Sequence, residues 1–208
     1  MVVVGLSAGR TETKELYTFL NSEDYISVSY ESDLNNISWY DSENIIINRI
    51  KLLENEMYTN NRKNNKNYKI FGEVAFYFLP YLELVIQNFP YIKFIYITKD
   101  KNRIIKNLLK MTSSRRNLIT RLFYGSKTKN HWMLHNGVKW EKDFLLDKCY
   151  PKYDSNSRKN AIELFCDEYY QIIRTLIKKY PNNLKIFYSD ELKSDYGRNK
   201  VLSFIGIK

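Results

Sequence analysis

The chain has 208 residues, of which 44% are hydrophobic, and a formal net charge of +10. This length and apolar content predict a single domain over residues 1–208. The composition excludes a disulfide-stabilised scaffold, because Cys149 and Cys166 are the only cysteines, and we expect both to be reduced and buried. Since no long apolar run occurs and the chain opens on a predicted strand, we expect a soluble, cytoplasmic protein. The excess of positive charge favours anionic partners such as nucleotides, nucleic acid and sulfated or phosphorylated substrates.

The predicted elements alternate between strands rich in β-branched and aromatic residues and helices with apolar spacing. In chain order they are a strand at 2–4, a helix at 11–20, a strand at 25–30, a helix at 44–58, a strand at 68–71, a helix at 80–89, a strand at 92–98, helices at 102–123 and 160–180, a strand at 184–188 and a helix at 190–205. The polar segment 59–67 predicts a mobile loop, and the aromatic, charged segment 125–157 predicts an irregular region that covers the substrate. This order predicts an α/β fold in three layers, with a central parallel sheet of about five strands and helices on both faces.

The turn after the first strand has the residues of a phosphate cradle. Gly5 and Gly9 permit the backbone angles of a narrow turn, and the amides of the following helix would face that turn. The guanidinium of Arg10 and the hydroxyls of Thr11 and Thr13 would add donors for the same anion. The spacing is not that of an ATPase loop, because the glycines are one residue too close and Arg10 replaces the lysine. The alternative is an ordinary glycine turn.

The segment 7–13, SAGRTET, resembles the first-strand turn of the sulfotransferases that use 3′-phosphoadenosine 5′-phosphosulfate (PAPS), which have a P-loop-like fold. A second element of that family, Arg-Asp-Pro with a Ser eight residues after the Arg, is similar to the segment that begins TKDKNR, with Lys99 for the Arg and Asn107 for the Ser. Glu12 departs from the family, which prefers Gly there, and Lys101 replaces the Pro. A carboxylate at position 12 would repel the phosphosulfate if it turned inward.

The resemblance implies a sulfuryl transfer from PAPS to a hydroxyl or amine of an unidentified acceptor, without a metal. The implied cofactor-binding residues are Ala8, Gly9, Arg10, Thr11, Glu12, Thr13, Lys14, Lys99 and Asn107. Arg10 would also be catalytic, because it would stabilise the negative charge of the leaving oxygen. The base would be Glu73, after the third strand, or Glu31, at the end of the second. Each carboxylate could instead pair with Arg10 or Lys99, and His131 is an alternative base.

Two other hypotheses remain open. The basic, amphipathic stretch 103–123 carries Arg115, Arg116 and Arg121, and such a helix can bind nucleic acid or an anionic membrane surface. Alternatively, the chain is a degenerate sulfotransferase fold that binds nucleotide without turnover, as the departures at Glu12 and Lys101 suggest. The spacing of two histidines in HWMLH lacks a third ligand, so we expect no zinc site.

Overall fold

The parallel sheet predicted from the sequence forms the centre of the protein. The computed structural model describes residues 1–64, 67–113, 128–134, 140 and 143–207, except for the side chains of residues 10, 11, 57, 58 and 60–64. The strands are β1 Val2–Leu6, β2 Ile26–Tyr30, β3 Ile70–Val74, β4 Lys93–Thr98 and β5 Leu184–Tyr188. They form one sheet in the order β2-β3-β1-β4-β5, and every pairing is parallel. The predicted α/β fold class is therefore confirmed.

Helices cover both faces of this sheet. They are α1 Arg10–Leu20, α2 Glu43–Asn64, α3 Leu82–Asn88, α4 Lys101–Met111, α5 Arg158–Lys179 and α6 Asp195–Phe204. Short 3-10 helices occupy Phe76–Tyr81, Asp147–Cys149 and Ser189–Lys193. Side chains alternate between the faces along each strand: Val3 packs with α1 and α6, whereas Val2 and Val4 pack with the other four helices. No helix in the described ranges is long and apolar enough to cross a membrane.

Several predicted boundaries differ from the structure, among them those of α2, α4 and β3. Helix α2 continues to Asn64, so the loop predicted at 59–67 is wrong for its first six residues; that polar stretch contains no Gly or Pro, and nothing in it interrupts the helical hydrogen bonds. Helix α4 ends at Met111, where the Thr112 hydroxyl donates to the carbonyl of Leu108 (2.8 Å), and most of its predicted continuation lies outside the described residues. Strand β3 extends to Val74, so it ends later than predicted.

Of the irregular segment predicted at 125–157, the described residues contain one 3-10 helix, Asp147–Cys149, and one isolated bridge between Met133 and Tyr153. This segment packs into the core, because Trp132 and Tyr150 are buried among the aromatic rings of α5 and the first 3-10 helix. The aromatic residues of this segment therefore form a substantial part of the core on that face of the sheet.

The strand order places the topological switch point of the sheet between the carboxyl ends of β1 and β4, and we refer to this position as the crevice. These strands are neighbours in the sheet, but α1, which follows β1, and α4, which follows β4, lie on opposite faces. In open α/β sheets, ligands bind at such a point because the two connections leave in opposite directions and open a gap between them. The turn after β1 and the residues after β4 therefore border the candidate site.

Candidate functional site

The turn after β1 leads into α1 through Gly9, whose backbone is extended (φ −110°, ψ 132°). The predicted need for glycine backbone angles is therefore wrong at this position. Gly5 lies within β1 and not in the turn. A Cβ at position 9 would meet Oε2 of Glu12, so a larger residue there would require the Glu12 carboxylate to shift. The amide of Gly9 donates to the Ser7 hydroxyl (3.1 Å), which fixes the turn just before the helix begins.

Glu12 turns inward and forms an ion pair with Lys99. The Glu12 side chain is only 1% exposed and the Lys99 side chain is 20% exposed. Glu12 lies in the first turn of α1, where a negative charge is favoured by the helix dipole. The two sequence elements on which the resemblance depends, the turn after β1 and the residue after β4, are therefore in direct contact at the crevice.

The other predicted cofactor-binding residues occupy different environments. Ala8 and Thr13 are buried, and the Thr13 hydroxyl hydrogen-bonds the hydroxyl of Tyr30 (3.2 Å), whereas Lys14 is exposed. Asn107 is half-buried and lies six residues into α4, roughly 9 Å along the helix axis from its start. The side chains of Arg10 and Thr11 lie outside the described part of the chain.

Glu73, one of the two predicted base carboxylates, lies within β3 and is completely buried. Its Oε2 accepts hydrogen bonds from Nε and Nη2 of Arg49 (3.0 and 2.9 Å). Its Oε1 accepts from the amide and hydroxyl of Ser32 (2.7 and 2.9 Å) and from the hydroxyl of Tyr77. Glu73 thus pairs with Arg49, whereas Lys99, one of the two partners considered from the sequence, pairs with Glu12. The side chain of Arg10, the other partner considered, lies outside the described residues.

Charge and burial explain the properties of this network. Burial opposes the charged form of Arg49, but the carboxylate of Glu73, with Asp33 and Glu56 further away, raises its pKa overall. Burial, followed by the charge of Glu73, strongly raises the pKa of Tyr77, so its hydroxyl stays protonated and donates. Sequence reasoning missed Arg49, although a signal was present: it lies between Ile46 and Leu53 on the apolar stripe of α2, where a cation needs a buried partner.

Glu31, the other predicted base, follows β2 and is 6% exposed. Its backbone has φ 42°, in the left-handed region, and it is the only described residue other than glycine with a positive φ. Its amide donates to the carbonyl of Val74 at the end of β3 (3.1 Å). Such a conformation costs free energy in an L-residue, so the surrounding contacts hold Glu31 in place at the carboxyl edge of the sheet.

His131 is buried and oriented by an acidic partner. Its Nδ1 is 2.7 Å from Oδ1 of Asp147, and its ring stacks on Tyr150 at 5.5 Å. Burial is the largest influence on Asp147 and opposes its ionisation, but the hydrogen bonds from His131 and the amide of Asp143, with the nearby charge of Lys152, together outweigh it and lower the pKa of Asp147. The ring is 1% exposed, which makes it part of the packing. His135 lies outside the described residues, and the described ones contain no group of three His, Cys, Asp or Glu arranged to hold a metal ion.

A groove of about 1130 Å³ opens next to Lys99, between the ends of β4 and β5 and helix α5. Its floor includes Thr98 and Tyr188, and its wall includes Tyr170, whose hydroxyl hydrogen-bonds Thr98 Oγ1 (3.0 Å) and donates to the carbonyl of Lys99 (3.1 Å). Arg174 on α5 also lines the groove and has no ion pair among the described residues. No pattern in the sequence predicted this groove, because its lining residues come from three separate segments of the chain.

No protein-family model matches this chain, and no curated protein is significantly similar to it in sequence.

Proposed function

We propose that this protein is a sulfotransferase that binds PAPS at the crevice between β1 and β4. The observation that carries the proposal is the contact of Lys99 with the first turn of α1. The resemblance to PAPS-dependent enzymes depends on two segments far apart in the sequence, and such segments can serve one ligand only if the fold brings them together. Their contact at a crevice of the kind that holds ligands in α/β folds supports this assignment.

The proposed binding mode uses the groups that border the crevice. The phosphosulfate lies against the N-terminal end of α1, where backbone amides and the helix dipole favour an anion, and Arg10 stabilises the charge on the leaving oxygen. Lys99 contributes positive charge to the 3′-phosphate. The adenosine portion lies in the groove beside Lys99. The volume of this groove, about 1130 Å³, is sufficient for a nucleoside, and the exposed ring of Tyr188 offers a face for stacking.

The acceptor loses its proton as the sulfuryl group moves from the phosphate oxygen to the acceptor oxygen or nitrogen. Of the predicted bases, Glu73 is completely buried within β3, and His131 is 1% exposed among aromatic rings. We therefore assign the base to Glu31, which lies at the carboxyl edge of the sheet in a conformation that its surroundings enforce. The acceptor would approach from the side of β2.

The binding half of the proposal is tested by calorimetry with the desulfated nucleotide, 3′-phosphoadenosine 5′-phosphate (PAP). We expect Arg10→Ala to weaken binding about tenfold or more, since a charge-assisted hydrogen bond is worth roughly 1.5 to 3 kcal/mol. Lys51→Ala is the control: it removes one exposed positive charge from α2, and we expect it to leave the affinity unchanged. Absence of PAP binding by the wild-type protein at low ionic strength rejects the proposal.

The catalytic half is tested by transfer of labelled sulfuryl groups from PAPS to a panel of phenols, amines and sugars. Glu31→Gln should abolish transfer and keep PAP binding, because it removes the base and leaves the nucleotide contacts intact. If the wild-type protein binds PAP but transfers nothing to any acceptor class, the second candidate function applies: nucleotide binding without turnover. The inward position of Glu12 and the engaged carboxylate of Glu73 favour that candidate.

Binding to a nucleic-acid backbone would give a different result from either candidate. Its affinity would fall steeply with salt and would not depend on Arg10. The three arginines that motivated it, Arg115, Arg116 and Arg121, lie outside the described residues, so the salt dependence decides this alternative.

A further inference from the structure

Glu12 has an unusual position for an acidic residue at a proposed anion site. Its carboxylate lies against Gly9 at the start of α1, where backbone amides and the helix dipole attract negative charge. It is also 1% exposed, so it does not reach into solvent. The side chain therefore brings a negative charge of the protein itself to the end of the helix that an anionic ligand would approach.

The partner of Glu12 is equally informative. Lys99 directly follows β4 and keeps 20% of its side chain exposed at the edge of the groove. Its ammonium group contacts Glu12, so part of its attraction for an incoming anion is already neutralised. A phosphate that approaches Lys99 also meets the repulsion of the Glu12 carboxylate across a partly buried, weakly screened gap.

We infer that Glu12 is a specificity-determining residue that competes with the ligand for Lys99. This inference rests on the proposed function, since it concerns the same site. When a ligand binds, the ammonium group of Lys99 leaves the carboxylate of Glu12 and contacts an anionic group of the ligand. Glu12 thereby lowers the affinity for every anion in the crevice, and it penalises most the ligands that carry a phosphate next to Lys99.

This mechanism predicts a dependence on the ligand as well as on the protein. PAP carries a 3′-phosphate that we place next to Lys99, and adenosine 5′-monophosphate lacks it. Removal of the Glu12 charge should therefore strengthen the binding of PAP more than that of adenosine 5′-monophosphate. A merely structural role for Glu12 would change both affinities alike, or would change only stability.

The test compares Glu12→Gln with Glu15→Gln, which removes an exposed charge from the same helix. We expect Glu12→Gln to tighten PAP binding about tenfold or more and Glu15→Gln to leave it within about threefold. Glu12→Ala should act in the same direction and serves if the glutamine variant misfolds, as judged by circular dichroism. The gain should disappear in the double variant Glu12→Gln/Lys99→Met, because Lys99 is the group that Glu12 withholds.

The outcomes separate this inference from the proposed function. If the wild-type protein binds PAP and Glu12→Gln binds it no more tightly, the inference is overturned and the proposed function stands. If neither binds PAP, the proposed function fails, and titration with inorganic sulfate decides the inference. Sulfate binding by Glu12→Gln, but not by the wild type or Glu15→Gln, would uphold the competition, and its absence would overturn it.

Discussion

The buried ion pair between Arg49 and Glu73 gives the sharpest prediction for stability. Arg49→Met keeps an unbranched apolar side chain on α2, shorter than that of arginine, but removes both donors to Oε2 of Glu73. Oε1 keeps the hydrogen bonds from Ser32 and Tyr77. The variant thus leaves the fully buried Glu73 carboxylate with Oε1 still hydrogen-bonded and with Oε2 lacking its charged partner.

Removing one member of a buried ion pair typically costs 3 to 5 kcal/mol, by order of magnitude. Because Oε1 keeps its donors, we expect the lower end of that range, about 3 kcal/mol. For a domain of this size, this corresponds to a fall in melting temperature of roughly 6 to 12 °C. The comparison variant Lys51→Met removes an exposed charge from the same helix, and we expect it to change the unfolding free energy by no more than about 0.5 kcal/mol.

Urea unfolding followed by circular dichroism measures both variants, and an unchanged slope of free energy against urea shows that the folded and unfolded states are comparable. The double variant Arg49→Met/Glu73→Gln should be more stable than Arg49→Met alone, because it removes the unpaired buried charge. A loss below about 1 kcal/mol in Arg49→Met, or a double variant less stable than the single one, would show that the pair does not hold α2 against β3 in the way inferred here.

Three further predictions follow from particular backbone and burial features. Gly72→Ala should destabilise the protein by about 3 kcal/mol in urea unfolding, because its Cβ would collide with the carbonyl oxygen of Val3 in the adjacent strand; a neutral result would contradict that close approach. Glu31→Gly should raise the unfolding free energy by about 1 kcal/mol, since it relieves the positive φ, whereas Glu31→Ala should give no such gain. Burial raises the pKa of Cys166 from 9.0 to about 12, so the thiol ionises at lower pH in the unfolded chain than in the folded protein. Its contribution to stability is therefore complete below about pH 9 and is lost as the pH rises towards 12. Cys166→Ala should lose less stability than the wild type over that pH interval, and equal losses would refute the assignment.

The sequence by itself determined the elements and the class of the fold. Short β-branched runs such as those at 2–4 and 92–98 specify buried strands, because only a strand covered on both faces suits continuous apolar residues. Their alternation with amphipathic helices specifies a parallel sheet, since parallel strands need crossover connections. These are local properties of the chain, and for that reason they can be predicted without knowing which segments meet.

Only the tertiary structure decided the partners of the charged residues. Glu12 could have faced solvent, and Glu73 could have paired with Arg10 or Lys99, as far as the sequence is concerned. The strand order places Lys99 beside the first turn of α1, and the packing of α2 on β3 places Arg49 against Glu73. Each contact joins residues from separate elements, and its energy depends on burial and distance, which exist only once the sheet has assembled and its helices have packed.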